Sequence, residues 1–153
     1  MKVIGIILLF GGVWSCPNGW IRHESSCYHF SHDMEPWTGA DYMCNKMGGK
    51  LVEIETAAEN AVLRPIVDSM NRTYWIGLSD VQEEGVWMWM SSRTKLSTTG
   101  FVSWNKGEPN NGLGNENCVT IIHGTGGKWN DWHCIGETFY ICEQEGETDG
   151  IVG

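Results

Sequence analysis

Six cysteines constrain this chain more than any other feature, because all of them follow a short apolar segment at the N-terminus. They are Cys16, Cys27, Cys44, Cys118, Cys134 and Cys142. An even number of cysteines in a secreted chain indicates a disulfide framework, here three bridges with no spare thiol. Zinc is the competing interpretation, but the sequence has no C-x-x-C pair and its five histidines are scattered. Spacing alone does not decide which cysteines pair.

The N-terminal segment indicates the compartment. Lys2 precedes the apolar run 3–10, and the small residue Ser15 stands directly before Cys16. This pattern is typical of a secretory signal peptide, and the run is too short to span a bilayer. We expect a signal peptide at 1–15, a single domain at 16–143, and an acidic, disordered tail at 144–153. The protein is therefore expected to be secreted and extracellular.

The charge of the chain disfavours two classes of partner. Its formal net charge is −9, which opposes binding to nucleic acid and to anionic membrane surfaces. No segment after residue 15 is long and apolar enough to insert into a membrane. Asn71, Arg72 and Thr73 form an N-glycosylation sequon, which predicts a surface turn and makes Asn71 a candidate glycosylation site.

Helical signals come early in the chain and strand signals come late. One helix is predicted from Pro36 to the glycines 48–49, and a second begins at a capping box formed by Thr56 and Glu59. Pro65 predicts a kink or an early end in the second helix. The strand-like segments are WIRHESSCYHF (a hairpin), KLVEIE, TYWIGLS, VWMWM, CVTII, KWNDW and FYICE. This order predicts an α+β fold, in which two helices flank short antiparallel sheets.

The most polar part of the chain lies between Lys106 and Val119. Together with KWNDW it supplies many side-chain oxygens, from Glu108, Asn110, Asn111, Asn115, Glu116, Asn117, Asn130 and Asp131. Calcium binds about six to eight hard oxygen ligands, whereas transition metals prefer His or Cys. A solvated loop whose side chains cap their own turns is the alternative. Three carboxylates that must come together from two segments favour the metal.

At these residues the chain resembles the C-type lectin domain. The matching motifs, in order, are CYHF, the helix that ends at Cys44, WIGL, EPN, Glu116 two residues before Cys118, WND and Cys142. The resemblance covers nearly the whole chain after the signal segment. It implies a C-type lectin-like fold with a long calcium-binding loop. It also implies the disulfides Cys16–Cys27, Cys44–Cys142 and Cys118–Cys134.

The resemblance further implies a calcium ion that binds a sugar. The metal-binding and sugar-binding residues of the family match Glu108, Asn110, Glu116, Asn130 and Asp131, and Pro109 matches a cis proline. The main-chain carbonyl of Asp131 adds one ligand, which leaves positions for two neighbouring sugar hydroxyls. EPN resembles the motif of the mannose, N-acetylglucosamine and fucose class, whereas the galactose class carries Gln and Asp. We therefore expect a calcium-dependent lectin that binds mannose-type glycans, in innate immune recognition or agglutination.

A second family calcium site is only partly matched. Asp80 and Glu84 correspond to two of its carboxylates, and Glu116 is shared with the first site. At two other positions, which are usually Asp, this chain has Asn111 and Asn117. The loss of two negative charges predicts a weak second calcium site, of low occupancy or absent.

Two other functional classes remain alternatives. The carboxylates of Glu108, Glu116 and Asp131 resemble a glycosidase acid pair, but carboxylates bound to calcium are poor general acids, so no enzyme is expected. A C-type lectin-like interaction module, which binds protein, mineral or matrix rather than sugar, is the second alternative. One open site binds a monosaccharide weakly, and avidity calls for several sites on one particle, as in a homo-oligomer. The sequence shows no coiled coil, collagen repeat or spare cysteine to build one.

Overall fold

The computed structural model describes residues 14–96 and 100–148. Within these residues the chain forms two α-helices and eleven β-strands. The helices are α1 (Trp37–Lys46) and α2 (Ala57–Met70). The strands are β1 (Trp14–Ser15), β2 (Ile21–His23), β3 (Ser26–Phe30), β4 (Lys50–Leu51), β5 (Tyr74–Ser79), β6 (Met88–Trp89), β7 (Thr94–Lys95), β8 (Cys118–Ile122), β9 (Lys128–Trp132), β10 (Phe139–Glu145) and β11 (Glu147–Thr148).

Most strands belong to one mixed sheet. Its main order is β2-β3-β10-β5-β6-β7, β4 also pairs with β10, and β8 pairs with both β5 and β9. One pairing departs from the predicted antiparallel arrangement, because β10 runs parallel to β5, with Phe139 opposite Tyr74 and Tyr140 opposite Trp75. Parallel neighbours require a long crossover. The chain between β5 and β10, which contains the polar segment that begins at Lys106, provides this crossover.

The predicted capping box of α2 is only half formed. Thr56 Oγ1 accepts the Glu59 N–H at 3.1 Å, as the motif predicts. The Glu59 carboxylate does not return to the Thr56 amide. It accepts the Glu55 N–H at 3.1 Å and the Tyr28 hydroxyl at 2.7 Å. The reason is tertiary, since β3 brings the Tyr28 hydroxyl to this end of the helix.

Helix α2 does not end early at Pro65, which was one of the two outcomes expected from the sequence, and continues to Met70. Both Pro65 and Ala61, whose carbonyl loses its helical partner, are exposed. Water can therefore satisfy that carbonyl. Leu63 and Val67, on the opposite face, are fully buried and attach the helix to the sheet.

The core and the disulfides hold these layers together. Trp75 and Trp89 are buried, and Trp87 and Trp104 pack against the core from half-buried positions. The three disulfides join Cys16 to Cys27, Cys44 to Cys142 and Cys118 to Cys134. These are the pairs that the resemblance implies. The second connects α1 to β10, and the third connects β8 to the turn after β9.

Ordered structure extends beyond the predicted end of the domain at residue 143. Strand β10 continues to Glu145, and β11 pairs antiparallel with β1, which lies at the end of the predicted signal peptide. Residues 1–13 and 149–153, which make up the rest of the predicted signal peptide and tail, lie outside the described residues. The cleavage position and the tail therefore stay predictions. In the part of the chain that the structure describes, neither helix has the length and apolar character of a membrane span.

Candidate functional site

Residues 105–117, here called the polar loop, leave the sheet beside β9 and return to it at β8. The Asn105 N–H donates to the Trp129 carbonyl at 2.8 Å, and the Glu108 N–H donates to the Asn105 carbonyl at 3.0 Å. The chain then enters β8, which pairs with β9 along its whole length, with Val119 opposite Asp131. The start of the polar loop is thereby attached to β9, the strand that contains Asp131.

Asp131 is the anchor of the polar loop. Its side chain is fully buried, and its two oxygens accept the backbone N–H groups of Asn110, at 3.1 Å, and Asn111, at 2.7 Å. The peptide bond that precedes Pro109 is cis. Backbone donors compensate for much of the cost of burying a carboxylate. Asp131 therefore fixes the path of the chain directly after the EPN motif.

The side chains of the loop are bonded to one another. Asn110 Nδ2 donates to Glu108 Oε1 at 3.1 Å. The Gly112 N–H donates to both Asn110 Oδ1, at 3.0 Å, and Glu116 Oε2, at 2.7 Å. A Cβ at position 112 would lie 2.8 Å from Glu116 Oε2, so a side chain there would displace the Glu116 carboxylate. Gly112 thus brings Glu116 close to the EPN motif.

One carboxylate oxygen of this group lacks a partner. Glu108 Oε2 is buried and has no hydrogen-bond donor among the described residues. Burial, the adjacent carboxyl of Asp131 and the negative charge of Glu116 raise the pKa of Glu108 to about 7. Negatively charged carboxylates are thus held close together, and one of their oxygens has no hydrogen-bond donor. Such a set of oxygens fits a cation that takes oxygen ligands.

Carboxylates alone do not make a metal centre here. Within residues 14–96 and 100–148, no three His, Cys, Asp or Glu side chains form a metal-binding group by themselves. A cation at this position would therefore also depend on amide and main-chain oxygens, which calcium accepts readily. The EPN motif and the WND motif supply such oxygens from Asn110, Asn130 and the Asp131 carbonyl.

The structure joins four of the five predicted ligands by hydrogen bonds and leaves Asn130 apart. In the described chain no hydrogen bond of the Asn130 side chain reaches the other four, although Asn130 neighbours Asp131 in β9. It lines a cleft of about 310 Å³ with Trp132 and three threonines, Thr73, Thr120 and Thr138. Trp132 also packs against Trp75, with ring centroids 5.3 Å apart.

A second polar group lies on the other side of Asn111. Asp80 is buried, and its Oδ2 accepts the Gly85 N–H at 2.8 Å. Burial raises the pKa of Asp80. Asn111 Nδ2 donates to Glu84 Oε1 at 2.6 Å, and the Asn117 amide lies 3.2 Å from both Asp80 Oδ1 and Glu84 Oε2. The four residues predicted for the second calcium site are therefore together in space.

Sequence reasoning missed one residue that supports both groups. Ser79, at the buried end of β5, donates its hydroxyl to the Asn117 carbonyl at 2.5 Å and accepts the Val81 N–H at 3.1 Å. It connects the turn that carries Asp80 to the end of the polar loop. The only signal in the sequence was a polar residue at the end of the apolar segment WIGL.

Comparisons with known proteins agree with this architecture. Residues 33–144 match the family model described as the Lectin C-type domain. A perlucin-like protein of Mytilus galloprovincialis is 36% identical over 157 residues, which cover 93% of this chain and 98% of that protein. CD209 antigen-like protein 2 of Macaca mulatta is 36% identical over 129 residues, which cover 84% of this chain and 48% of the relative. The chain thus spans less than half of the length of the CD209-type relatives that it matches.

Solved structures share the fold over most of the chain. The carbohydrate-recognition domain of cow CD23, determined in the presence of a GlcNAc2Man3 oligosaccharide, is 34% identical with a TM-score of 0.79, covering 88% of this chain and 99% of that one. A calcium-independent type II antifreeze protein is 25% identical with a TM-score of 0.78, covering 90% and 99%. The family model covers most of the chain, the perlucin-like relative matches it over nearly its whole length, and the solved structures share its fold. This chain therefore belongs to the C-type lectin domain family, whose members are generally binding modules rather than enzymes.

Proposed function

We propose that this protein is a secreted, calcium-dependent lectin that binds mannose-type sugars at Glu108, Asn110, Glu116, Asn130 and Asp131. The observation that carries the proposal is the buried, partnerless Oε2 of Glu108, beside the carboxyl of Asp131. Such a pair is stable only with a proton or a cation between the two carboxylates. Calcium is the cation that best suits carboxylate and amide oxygens in a flexible loop. The three disulfides support an oxidising, extracellular location.

The order of donor and acceptor in the EPN motif supports the sugar class. When bound, calcium supplies positive charge and open coordination positions for two neighbouring hydroxyls. Glu108 is an acceptor and Asn110 Nδ2 is a donor, and at present they bond to each other at 3.1 Å. A sugar would replace this bond, donating one hydroxyl hydrogen to Glu108 and accepting the amide hydrogen of Asn110. This acceptor-then-donor order resembles that of the mannose, N-acetylglucosamine and fucose class.

The loop around this pair is already ordered by the chain itself. Asp131 holds the backbone after Pro109, and the Gly112 N–H holds the oxygens of Asn110 and Glu116. Preorganisation of this kind lowers the ordering cost of binding a small ligand. Binding of one monosaccharide is still expected to be weak, so agglutination or microbial recognition requires several sites on one particle.

Affinity chromatography tests the proposal directly. The protein should be retained on mannose-agarose in calcium, pass through galactose-agarose, and be released from mannose by a chelator. Asn110→Ala should abolish retention. Asn115→Ala is the matched control, because Asn115 is exposed in the same loop and its side chain takes no part in the bonded group. A glycan array with and without chelator then defines the ligand. Failure to bind any glycan in calcium would contradict the proposal.

An interaction module is the second candidate function. A calcium-independent antifreeze protein shares the fold at a TM-score of 0.78, so this architecture also exists without the ion. The net charge of −9 suits a basic protein or a mineral surface as the partner. Binding to such a partner in the presence of chelator, with no retention on any monosaccharide, would favour this function.

Asn71 is proposed as a glycosylation site. It ends α2 in the left-handed conformation, with φ 52°, and its side chain is exposed. Secretion from a eukaryotic host, followed by enzymatic deglycosylation, should give a mass loss that Asn71→Gln abolishes.

A further inference from the structure

Asn111 and Asn117 stand where two acids are expected for a second calcium ion, and the structure shows what they do instead. We propose that their side-chain amides take the place of that cation, so that Asp80 and Glu84 are held by neutral hydrogen-bond donors and the native chain binds no ion there. These four residues are here called the amide lock. The inference concerns this group alone and does not rest on the proposed sugar binding.

Asp80 is the buried acid of the amide lock. Its Oδ2 accepts the Gly85 N–H at 2.8 Å. Its Oδ1 lies 3.2 Å from the Asn117 amide, which is also 3.2 Å from Glu84 Oε2. An amide oxygen facing two carboxylates would be repelled, so the nitrogen faces them and donates to both. Both oxygens of Asp80 are thereby satisfied without a metal.

Glu84 completes the amide lock from an exposed turn. Its two oxygens receive separate donors, Asn111 Nδ2 at 2.6 Å on Oε1 and Asn117 on Oε2. N–H groups and a cation compete for the same lone pairs, so a cation would have to break these bonds. Within the amide lock two carboxylates stand in place of four, so the cation would gain less Coulomb energy in return.

Asn111 connects the amide lock to the EPN side of the polar loop. Its Oδ1 accepts the Glu116 N–H at 3.0 Å, and its backbone N–H donates to Asp131 at 2.7 Å. Asn111 therefore touches Glu84, Glu116 and Asp131 at once. It is a positioning residue that orders one half of the polar loop in the absence of a second ion.

Calcium stoichiometry, measured by calorimetry, is the decisive experiment. The double variant Asn111→Asp with Asn117→Asp restores the two charges and should bind one more ion per chain than the native protein. In chelator the variant should unfold at a lower temperature than the native protein, because four carboxylates repel. Calcium should raise its unfolding temperature by more than it raises that of the native protein. Asn115→Asp adds charge to an exposed position in the same loop and should leave the stoichiometry unchanged.

Glu84→Gln in the native background provides a second measurement that does not depend on folding of the double variant. Glu84 is exposed, so the substitution is conservative, and the number of ions bound should not change. A lower number would mean that the native group binds a cation, and would overturn the inference. A folded double variant that gains no ion would overturn it equally. Loss of sugar binding alone bears only on the proposed function, because the increase of one ion is expected whether or not the EPN site binds calcium.

Discussion

The backbone N–H of Asn111 donates to Oδ2 of Asp131 at 2.7 Å, and this bond ties the polar loop to strand β9. Asn110 donates to the other oxygen of the same carboxylate at 3.1 Å. One buried acid thus determines where the backbone runs after the EPN motif. The loop that carries the candidate site is therefore held by the sheet as well as by any ion that it binds.

Asp131→Asn should weaken both the loop and the proposed metal site. The amide offers one oxygen to two backbone donors, so one backbone N–H loses its bond to a charged acceptor, and the variant should be less stable by about 1–3 kcal/mol in chelator. Calcium-dependent retention on mannose should be lost. Chemical denaturation and affinity chromatography measure the two effects. Glu137→Gln, at an exposed position, is the control for the loss of one charge.

Exchange of the EPN pair should change the sugar preference. Glu108→Gln with Asn110→Asp reverses the acceptor and the donor while the two side chains keep their sizes. Retention should move from mannose-agarose to galactose-agarose and should remain sensitive to chelator. Unchanged mannose binding in this double variant would refute the role that we propose for the pair.

The disulfide Cys118–Cys134 should matter for binding more than Cys16–Cys27. The two bridges close loops of similar length, with separations of 16 and 11 residues, so removal of either should cost about 3 kcal/mol. Only Cys118–Cys134 lies in the segments that carry the polar loop and β9. Replacement of these two cysteines by alanines should therefore reduce mannose retention as well as stability, whereas loss of Cys16–Cys27 should reduce stability alone.

Glu143 should make the protein less stable as the pH rises. Burial raises its pKa to about 7 from an ordinary value of 4.5, although Lys50 Nζ lies 3.4 Å away. Between these values the folded chain keeps a proton that the unfolded chain has lost, so the free energy of unfolding falls with rising pH, by at most about 3 kcal/mol. Glu143→Gln has no such proton to lose, so its stability relative to the native protein should increase from pH 4.5 to about 7. Denaturation at several pH values checks this, with Glu145→Gln, an exposed neighbour, as the control.

Pro65→Ala should stabilise α2. Alanine restores an N–H that can bond to the Ala61 carbonyl, and the gain is partly offset by greater freedom of the unfolded chain, leaving about 1–2 kcal/mol. Arg64→Ala, at the adjacent exposed position, should change the free energy of unfolding by less than about 0.5 kcal/mol. An unchanged or lower stability of Pro65→Ala would show that the proline already suits the helix.

Much of the fold follows from local sequence signals. Hydrophobic periodicity and turn residues predicted both helices and the strand segments, and the motifs around Trp75, Glu108 and Trp129 identified the family. Local signals failed where a distant residue competes for the same group. Glu59 was expected to bond back to Thr56, but the Tyr28 hydroxyl on β3 and the Glu55 amide occupy its carboxylate.

The sequence by itself determined the family, the even set of cysteines and the list of oxygen-bearing side chains in the polar loop. The tertiary structure alone decided how those side chains are bonded to one another. It bonds Asn111 to Glu84 and brings Asn117 to Asp80, and it leaves Asn130 outside the bonded group. The physical reason is that a sequence specifies which donors and acceptors exist, whereas hydrogen bonds and cation binding depend on distances of about 3 Å between residues far apart in the chain. The change from acid to amide at positions 111 and 117, which the resemblance did not explain, is accounted for by those distances.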